Sequence, residues 1–315
     1  MEFGRTENIE AVDFTLPKDD KYTTALFKEL KKKKSKPEIY IGCAKWGRPD
    51  WVGKIYPKGT KPADFLKHYV QHYNCIELNA FFYQLFPVST VEKWADLAGN
   101  DFKFCPKFTN SITHIKRLKN AQKETDAFLE TVHVFGKKLG TSFIQLGDNF
   151  GPKHFESIHD YLKSLPKDFD VALEFRNQEW FTDNTVADET YHLMKELGVT
   201  SIITDTSGRR DVLSMRLTTP EAFIRYVGNG LHPTDYKRID EWIERIATWL
   251  DSGLQTLYFF IHQHDELLSP ELSKYMIENL NKKCGLSVKA PQLINAPAQS
   301  LSLFDEKPVQ RAKRK

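Results

Sequence analysis

The feature that most narrows the fold is an exchange of two periodicities. Between residues 38 and 285, eight short apolar runs of strand type alternate with stretches of helical period. The runs are IYIGC from Ile39, CIELN from Cys75, FKFC from Phe102, FIQL from Phe143, VALEF from Val171, SIIT from Ser201, FIRYV from Phe223 and LYFFI from Leu257. Their first residues lie 22 to 41 apart. Parallel strands need crossovers of about a dozen residues or more, and strands covered on both faces read as continuous apolar runs. The pattern therefore predicts an α/β protein with one closed TIM (β/α)8 barrel over 38–285, close to the ~250 residues usual for that fold.

The intervening stretches carry helix punctuation. Ser89 and Glu92 read as a capping box before Val91, Trp94 and Leu97. Pro270 after Ser269 marks a helix start, and Gly140, Gly198 and Gly285 read as helix ends. Over 235–250, Ile239, Trp242, Ile243, Ile246 and Leu250 fall on one face, as a barrel-covering helix requires. Only 208–219 lacks clean periodicity, which predicts a short, irregular crossover. Residues 1–37 read as a flexible polar arm with a basic run at 31–34 and a short helix over 23–30. Residues 286–315, with three prolines and many small side chains, form a tail predicted to be disordered.

Composition excludes several classes. Forty-five Lys and Arg against 42 Asp and Glu give a net charge of +3, an ordinary surface without the charge that extended duplex binding needs. The four cysteines, Cys43, Cys75, Cys105 and Cys284, have neither a CxxC pair nor a metal spacing, so reduced thiols in a cytoplasmic protein are expected. The N-terminal stretch has no apolar core of signal type, and no run approaches the ~20 apolar residues that cross a bilayer.

In such a barrel the residues at the carboxyl ends of the strands converge on one rim. Here they are Lys45 and Trp46; Glu77 and Asn79, with Phe82 and Tyr83; Lys107 and, further on, His114; Gln145 and Asp148; Glu174, Arg176 and Trp180; Asp205; Arg225 and Tyr226; and His262, His264 and Asp265. Glu77, Glu174 and Asp205 are carboxylates from three strands. Their reading stays open between a shared divalent cation, an acid and base with split pKa values, and an ionic lining neutralised by Lys107, Arg176 or Arg225. The cations with Trp46, Tyr83 and Trp180 suit an anionic, phosphate-bearing substrate with a flat or sugar-like face. That makes Glu174 a candidate base and His114 an acid or second anchor in a hydrolase or isomerase type of reaction.

The strings GCAKWGRPDWVGKIYP from Gly42, CIELNAFFYQL from Cys75, FKFCPKFTNSITHIKRL from Phe102, FIQLGDNFGP from Phe143 and VALEFRNQEW from Val171 resemble the YecE-like family of domains of unknown function. The likeness spans about residues 38–285. It implies a TIM barrel related in shape to the xylose isomerase and endonuclease IV group, with no established activity. It marks Trp46, Glu77, Asn79, Tyr83, Lys107, His114, Gln145, Glu174, Arg176, Trp180 and Asp205. The chain departs from the family pattern at strands seven and eight, where it reads Arg225-Tyr226-Val227-Gly228 and His262-Gln263-His264. An alternative from another class is a module that binds a nucleotide or a nucleic-acid end without turning it over.

The tail holds one apolar island. Residues 299–304 read QSLSLF, similar to the Gln-Leu-Ser-Leu-Phe type of peptide that tethers bacterial replication and repair proteins to the sliding clamp, with Ser300 inserted. Gln299, Leu301, Leu303 and Phe304 would dock in a hydrophobic groove, with proline-rich chain supplying reach. The competing outcome is that the island folds back on the barrel.

Overall fold

A computed structural model describes residues 4–30, 36–182 and 185–294 of the 315-residue chain. The eight strands are β1 (Glu38–Cys43), β2 (Cys75–Leu78), β3 (Lys103–Pro106), β4 (Ser142–Gln145), β5 (Val171–Glu174), β6 (Thr200–Asp205), β7 (Glu221–Gly228) and β8 (Thr256–Gln263). All pair in parallel in the order β3-β2-β1-β8-β7-β6-β5-β4. The remaining β3–β4 seam is drawn together by isolated parallel bridges, Phe104 to Leu139 and Lys107 to Phe143, and by the Phe108 N–H donating to the Phe143 carbonyl at 2.9 Å. The result is a nearly closed TIM-like barrel, as the alternation predicts.

The helices are α1 (Lys21–Glu29), α2 (Phe65–Tyr69), α3 (Ala80–Tyr83), α4 (Val88–Leu97), α5 (Gln122–His133), α6 (Phe155–Ser164), α7 (Thr185–Leu197), α8 (Pro233–Ser252) and α9 (Ser269–Cys284). In α8, Ile239, Trp242, Ile243 and Ile246 are buried as read, with Trp249 beside them, because the apolar stripe at helical spacing faces the sheet. Gly285 ends α9 in the left-handed region at φ 64°, and Gly198 follows α7 at φ 71°. Gly140 does not close a helix. Its missing side chain matters because a Cβ there would meet the Cys105 sulfur at 2.7 Å. The capping box at Ser89 does not form either: α4 begins at Val88 after Pro87, with no side-chain cap, so the proline's fixed backbone sets the helix start. Between β6 and β7 the crossover is a single turn, Arg210–Val212.

Over its described residues 4–30 the N-terminal arm is docked on the barrel rather than flexible as expected, for a physical reason visible in its apolar residues. Phe14, Leu16, Tyr22 and Leu26 are buried, the Thr23 hydroxyl donates to the Met215 carbonyl at 2.7 Å, and Arg216 pairs with Asp20, the N-cap of α1. The first tail residues also lie on the barrel, with Leu286, Val288 and Ala290 against the core and the Ile294 N–H donating to the Lys54 carbonyl. Lysines 31–34, Gln299, Leu301, Leu303 and Phe304 lie outside the described residues. Among the described residues, no helix is long and apolar enough to cross a membrane.

Candidate functional site

Along a strand, alternate side chains face the barrel axis. Cys75, Cys105, Phe143, Ala172, Phe223 and Phe260 belong to one apolar cluster. Two residues further along each of those strands come Glu77, Lys107, Gln145, Glu174, Arg225 and His262, so the polar set sits as one layer on an apolar plug.

Arg225 is the hub of that layer. Its Nε and one terminal nitrogen donate to the two oxygens of Glu77 at 2.9 and 2.8 Å, and its other terminal nitrogen donates to Glu174 Oε2 at 2.6 Å. Around it, Asn79 donates to Glu77 Oε1 at 2.6 Å, Gln145 donates to Glu174 Oε2 at 2.7 Å, and Arg176 Nε donates to Glu174 Oε1 at 3.0 Å. His262 lies between Glu77 at 3.1 Å and Glu266 at 3.5 Å. Lys107 is 7% exposed. Its Nζ donates to Gln145 Oε1 at 2.6 Å and lies 4.1 Å from the centre of the Phe82 ring. A buried guanidinium forked onto one carboxylate and touching a second is geometry that lysine could not reproduce.

The electrostatics follow from this packing. Burial alone would raise the Glu77 carboxyl, but the charges of Arg225 and His262 outweigh it and hold the group well below the usual carboxylate range. Glu174 is brought to about 2, because Arg225 and Arg176 overcome its burial. Burial lowers the Lys107 ammonium and the Arg225 charge adds to that, against Glu174, leaving it at about 7. The imidazole of His262 moves up, since Glu77 and the hydrogen bond to Glu266 outweigh its burial. Perturbed groups gathered in a cleft are where function concentrates.

Above this layer is a cavity of about 340 Å³, lined by Lys45, Asn79, Phe82, Tyr83, Lys107, Gln145, Arg176, Arg225, His262 and Glu266. A second cavity, also of about 340 Å³, shares Lys45, Asn79 and Tyr83 with it and is walled by Trp46, Leu78, Phe86 and Trp94. Trp46 meets Trp94 edge to face at 5.1 Å, and Tyr83 is 76% exposed at the mouth. His114 stands on a π-helical turn (Ser111–Ile115), edge-on to Phe82 at 5.0 Å. Burial and the charges of Lys107 and Arg176 lower its pKa.

Three residues expected at the rim lie elsewhere. Asp205 accepts from Arg238 at 2.7 Å and from Trp242 Nε1 at 2.7 Å, both on α8, and pairs with Arg210. One residue past an axis-facing position, it points outward between the sheet and α8. Tyr226, next to the axis-facing Arg225, also turns outward and donates to the Asp235 carbonyl at 3.1 Å. Trp180 is fully buried against Phe175, its Nε1 donating to the Phe150 carbonyl at 2.7 Å. The shared cation site loses its third carboxylate with Asp205, and Arg225 occupies the space between the other two. Among the described residues, the metal-type cluster of three is Glu156, His159 and Asp160 on the surface of α6, not at the rim.

Glu266 escapes a strand-end reading because it lies on a turn (Glu266–Leu268) beyond β8. Its four-residue spacing from His262 was the available signal. Trp94, which walls the second cavity with Phe86, reads as a helix-face residue from the sequence, since nothing local shows that a cavity opens beside it.

A family model described as "Protein of unknown function DUF72" matches residues 40–295. The UPF0759 protein YecE of Escherichia coli K12 is 27% identical over 286 residues, covering 84% of this chain and all of that protein. The UPF0759 protein YunF of Bacillus subtilis 168 is 30% identical over 167 residues, covering 51% of this chain and 58% of that one. A crystal structure of a DUF72 family protein from Enterococcus faecalis superposes with a TM-score of 0.61 at 19% identity, covering 82% of this chain and 99% of that one, a likeness of fold.

Proposed function

This chain belongs to the DUF72 family, and from that premise we propose that its rim is the active site of an enzyme of hydrolase or isomerase type acting on an anionic, phosphate-bearing substrate. The observation that carries the reading is a balance of charge. Lys45, Lys107, Arg176, Arg225 and His262 line or floor the cavity against Glu77, Glu174 and Glu266, so the cleft favours a negative ligand. Arg225 is saturated by two carboxylates and serves as the frame, while Lys45, Lys107 and Arg176 line the cavity and meet the anion. Glu174, held at about 2, takes up no proton near neutrality, so the proton-handling role passes from it to His262, which Glu266 backs, with His114 at the edge. The aromatic cavity receives a flat part of the substrate by stacking on Trp46 or Tyr83.

The test is calorimetric titration with phosphate monoesters and with sulfate. Both classes bind the wild type, Arg176→Ala loses about tenfold in affinity, the loss of one charged hydrogen-bonding partner, and turnover follows in a substrate screen. Indifference of the wild type to every anion overturns the reading. Sulfate keeps its charge near neutrality while Lys107 does not, so sulfate affinity falls as the pH rises through about 7 or, with the bound anion stabilising the ammonium, somewhat above it.

A second reading rests on the tail and on the aromatic cavity beside the cationic one: a non-catalytic nucleotide or nucleic-acid module held at the sliding clamp through Gln299, Leu301, Leu303 and Phe304. A labelled peptide of residues 296–307 titrated with the bacterial clamp decides this. Binding abolished by replacing Leu303 and Phe304 with alanine supports it, and absence of binding removes it.

A further inference from the structure

We propose that Lys107 is a nucleophile that forms an iminium with a carbonyl carbon of the substrate, which makes the substrate class a carbonyl compound that also carries an anionic group. The inference rests on the rim being an anion-binding active site and assigns its chemistry.

The geometry around the amine points this way. Lys107 is almost wholly buried at the end of β3, yet its side chain lines the cavity. Among the described residues its Nζ makes no ion pair. Its polar partner is the uncharged Gln145 Oε1, and Gln145 is itself oriented by donating to Glu174. A lysine serving only as a counter-charge would pair with a carboxylate, and two are close by. Both are taken by Arg225, which leaves the amine beside a guanidinium and against an aromatic face. Desolvation beside a cation is the general means of keeping a lysine amine unprotonated and reactive. Titration at about 7 agrees with that arrangement.

The step balances with groups on the page. The amine lone pair forms a C–N bond as the carbonyl π bond breaks onto oxygen. That oxygen leaves as water, taking one proton from the amine and one from the His262 imidazolium, which lines the same cavity and is backed by Glu266. The iminium keeps the remaining N–H. Its positive charge forms in the layer that already holds the Glu174 and Glu77 carboxylates, whose charges act on Lys107. Once the neutral Lys107 amine is engaged as the nucleophile, Lys45 and Arg176, which line the same cavity, hold the anionic group.

The experiment uses the full chain with dihydroxyacetone phosphate or pyruvate as probe and cyanoborohydride as the reductant that traps iminium ions, followed by peptide mapping. The expected result is reduced adduct at Lys107 at least about tenfold above the surface lysines at neutral pH, where an ordinary lysine is almost wholly protonated. Labelling at Lys107 rises through pH 7, is suppressed by excess sulfate, and disappears in Lys107→Arg while that variant keeps the circular dichroism spectrum of the wild type. Adducts confined to surface lysines, or Lys107 labelled no more than they are, overturn the proposal even where sulfate binds. Labelling at Lys107 that sulfate does not suppress leaves the nucleophile standing and removes the anion subsite, so the two readings fail separately.

Discussion

Arg225 shows how one residue organises a layer. Its guanidinium is buried with two carboxylates, and such an arrangement gains stability only when every charge is matched; removing one partner strands the others. Arg225→Met is therefore expected to cost about 3–5 kcal/mol in urea unfolding, and Arg225→Lys most of that, because an ammonium cannot fork onto Glu77 while reaching Glu174. A loss below about 1 kcal/mol, the range of exposed pairs, would show that the layer is solvated rather than buried. Residue types at the rim were legible in the sequence: Glu77, Lys107, Gln145, Glu174, Arg176 and Arg225 all reach the cavity or its floor. Their roles were not, since Glu174 looks like a base until Arg225, 51 positions away, is seen on it.

At the scale of elements, parity along a strand decides direction. Cys75 and Glu77, or Phe223 and Arg225, share the axis-facing side, so a neighbour one position on belongs to the helix-facing side. That rule already placed Asp205 and Tyr226 outside the rim, and counting strand ends without parity is what brought them in. Asp205 instead binds β6 to α8 through Arg238 and Trp242. Asp205→Asn should lower unfolding stability by roughly 3 kcal/mol, leaving Arg238 buried and under-compensated, with sulfate affinity at the rim unchanged. Reduced sulfate affinity in a variant of normal stability would return Asp205 to the site. The capping box failed at this scale for a related reason: Pro87 had already set the entry to α4.

For the whole molecule, the two ends of the barrel are chemically unlike. At the end opposite the site, Glu221 begins β7 beside a small cavity lined also by Thr141, Asp170 and Thr200. Burial, with the nearby Asp170 and Glu38 charges, raises its carboxyl to about 7, although Thr141 donates to it at 2.9 Å. A raised carboxyl means that the folded state binds a proton the unfolded state has released, so stability present below the ordinary carboxylate range is lost as pH climbs towards 7. Glu221→Gln is accordingly expected to gain on the wild type by about 1–2 kcal/mol between pH ~5 and pH ~8, read from denaturation midpoints. An advantage that is flat or reversed over that interval would show that the carboxyl is hydrated.

Local regularities determined the barrel. Apolar runs spaced for crossovers, the stripe on α8 and the glycine ends of α7 and α9 act over a few residues to a few turns, and a chain carries such signals in its linear order. Closure decided the rest, because the contacts that define the site join distant positions: Arg225 to Glu77 across 148 residues and His262 to Glu77 across 185. No local pattern encodes which carboxylate a guanidinium will claim once both are buried. The docking of the N-terminal arm and the second cavity beside Trp46 and Trp94 likewise exist only when separate elements pack, since burial and shape belong to the surfaces between them.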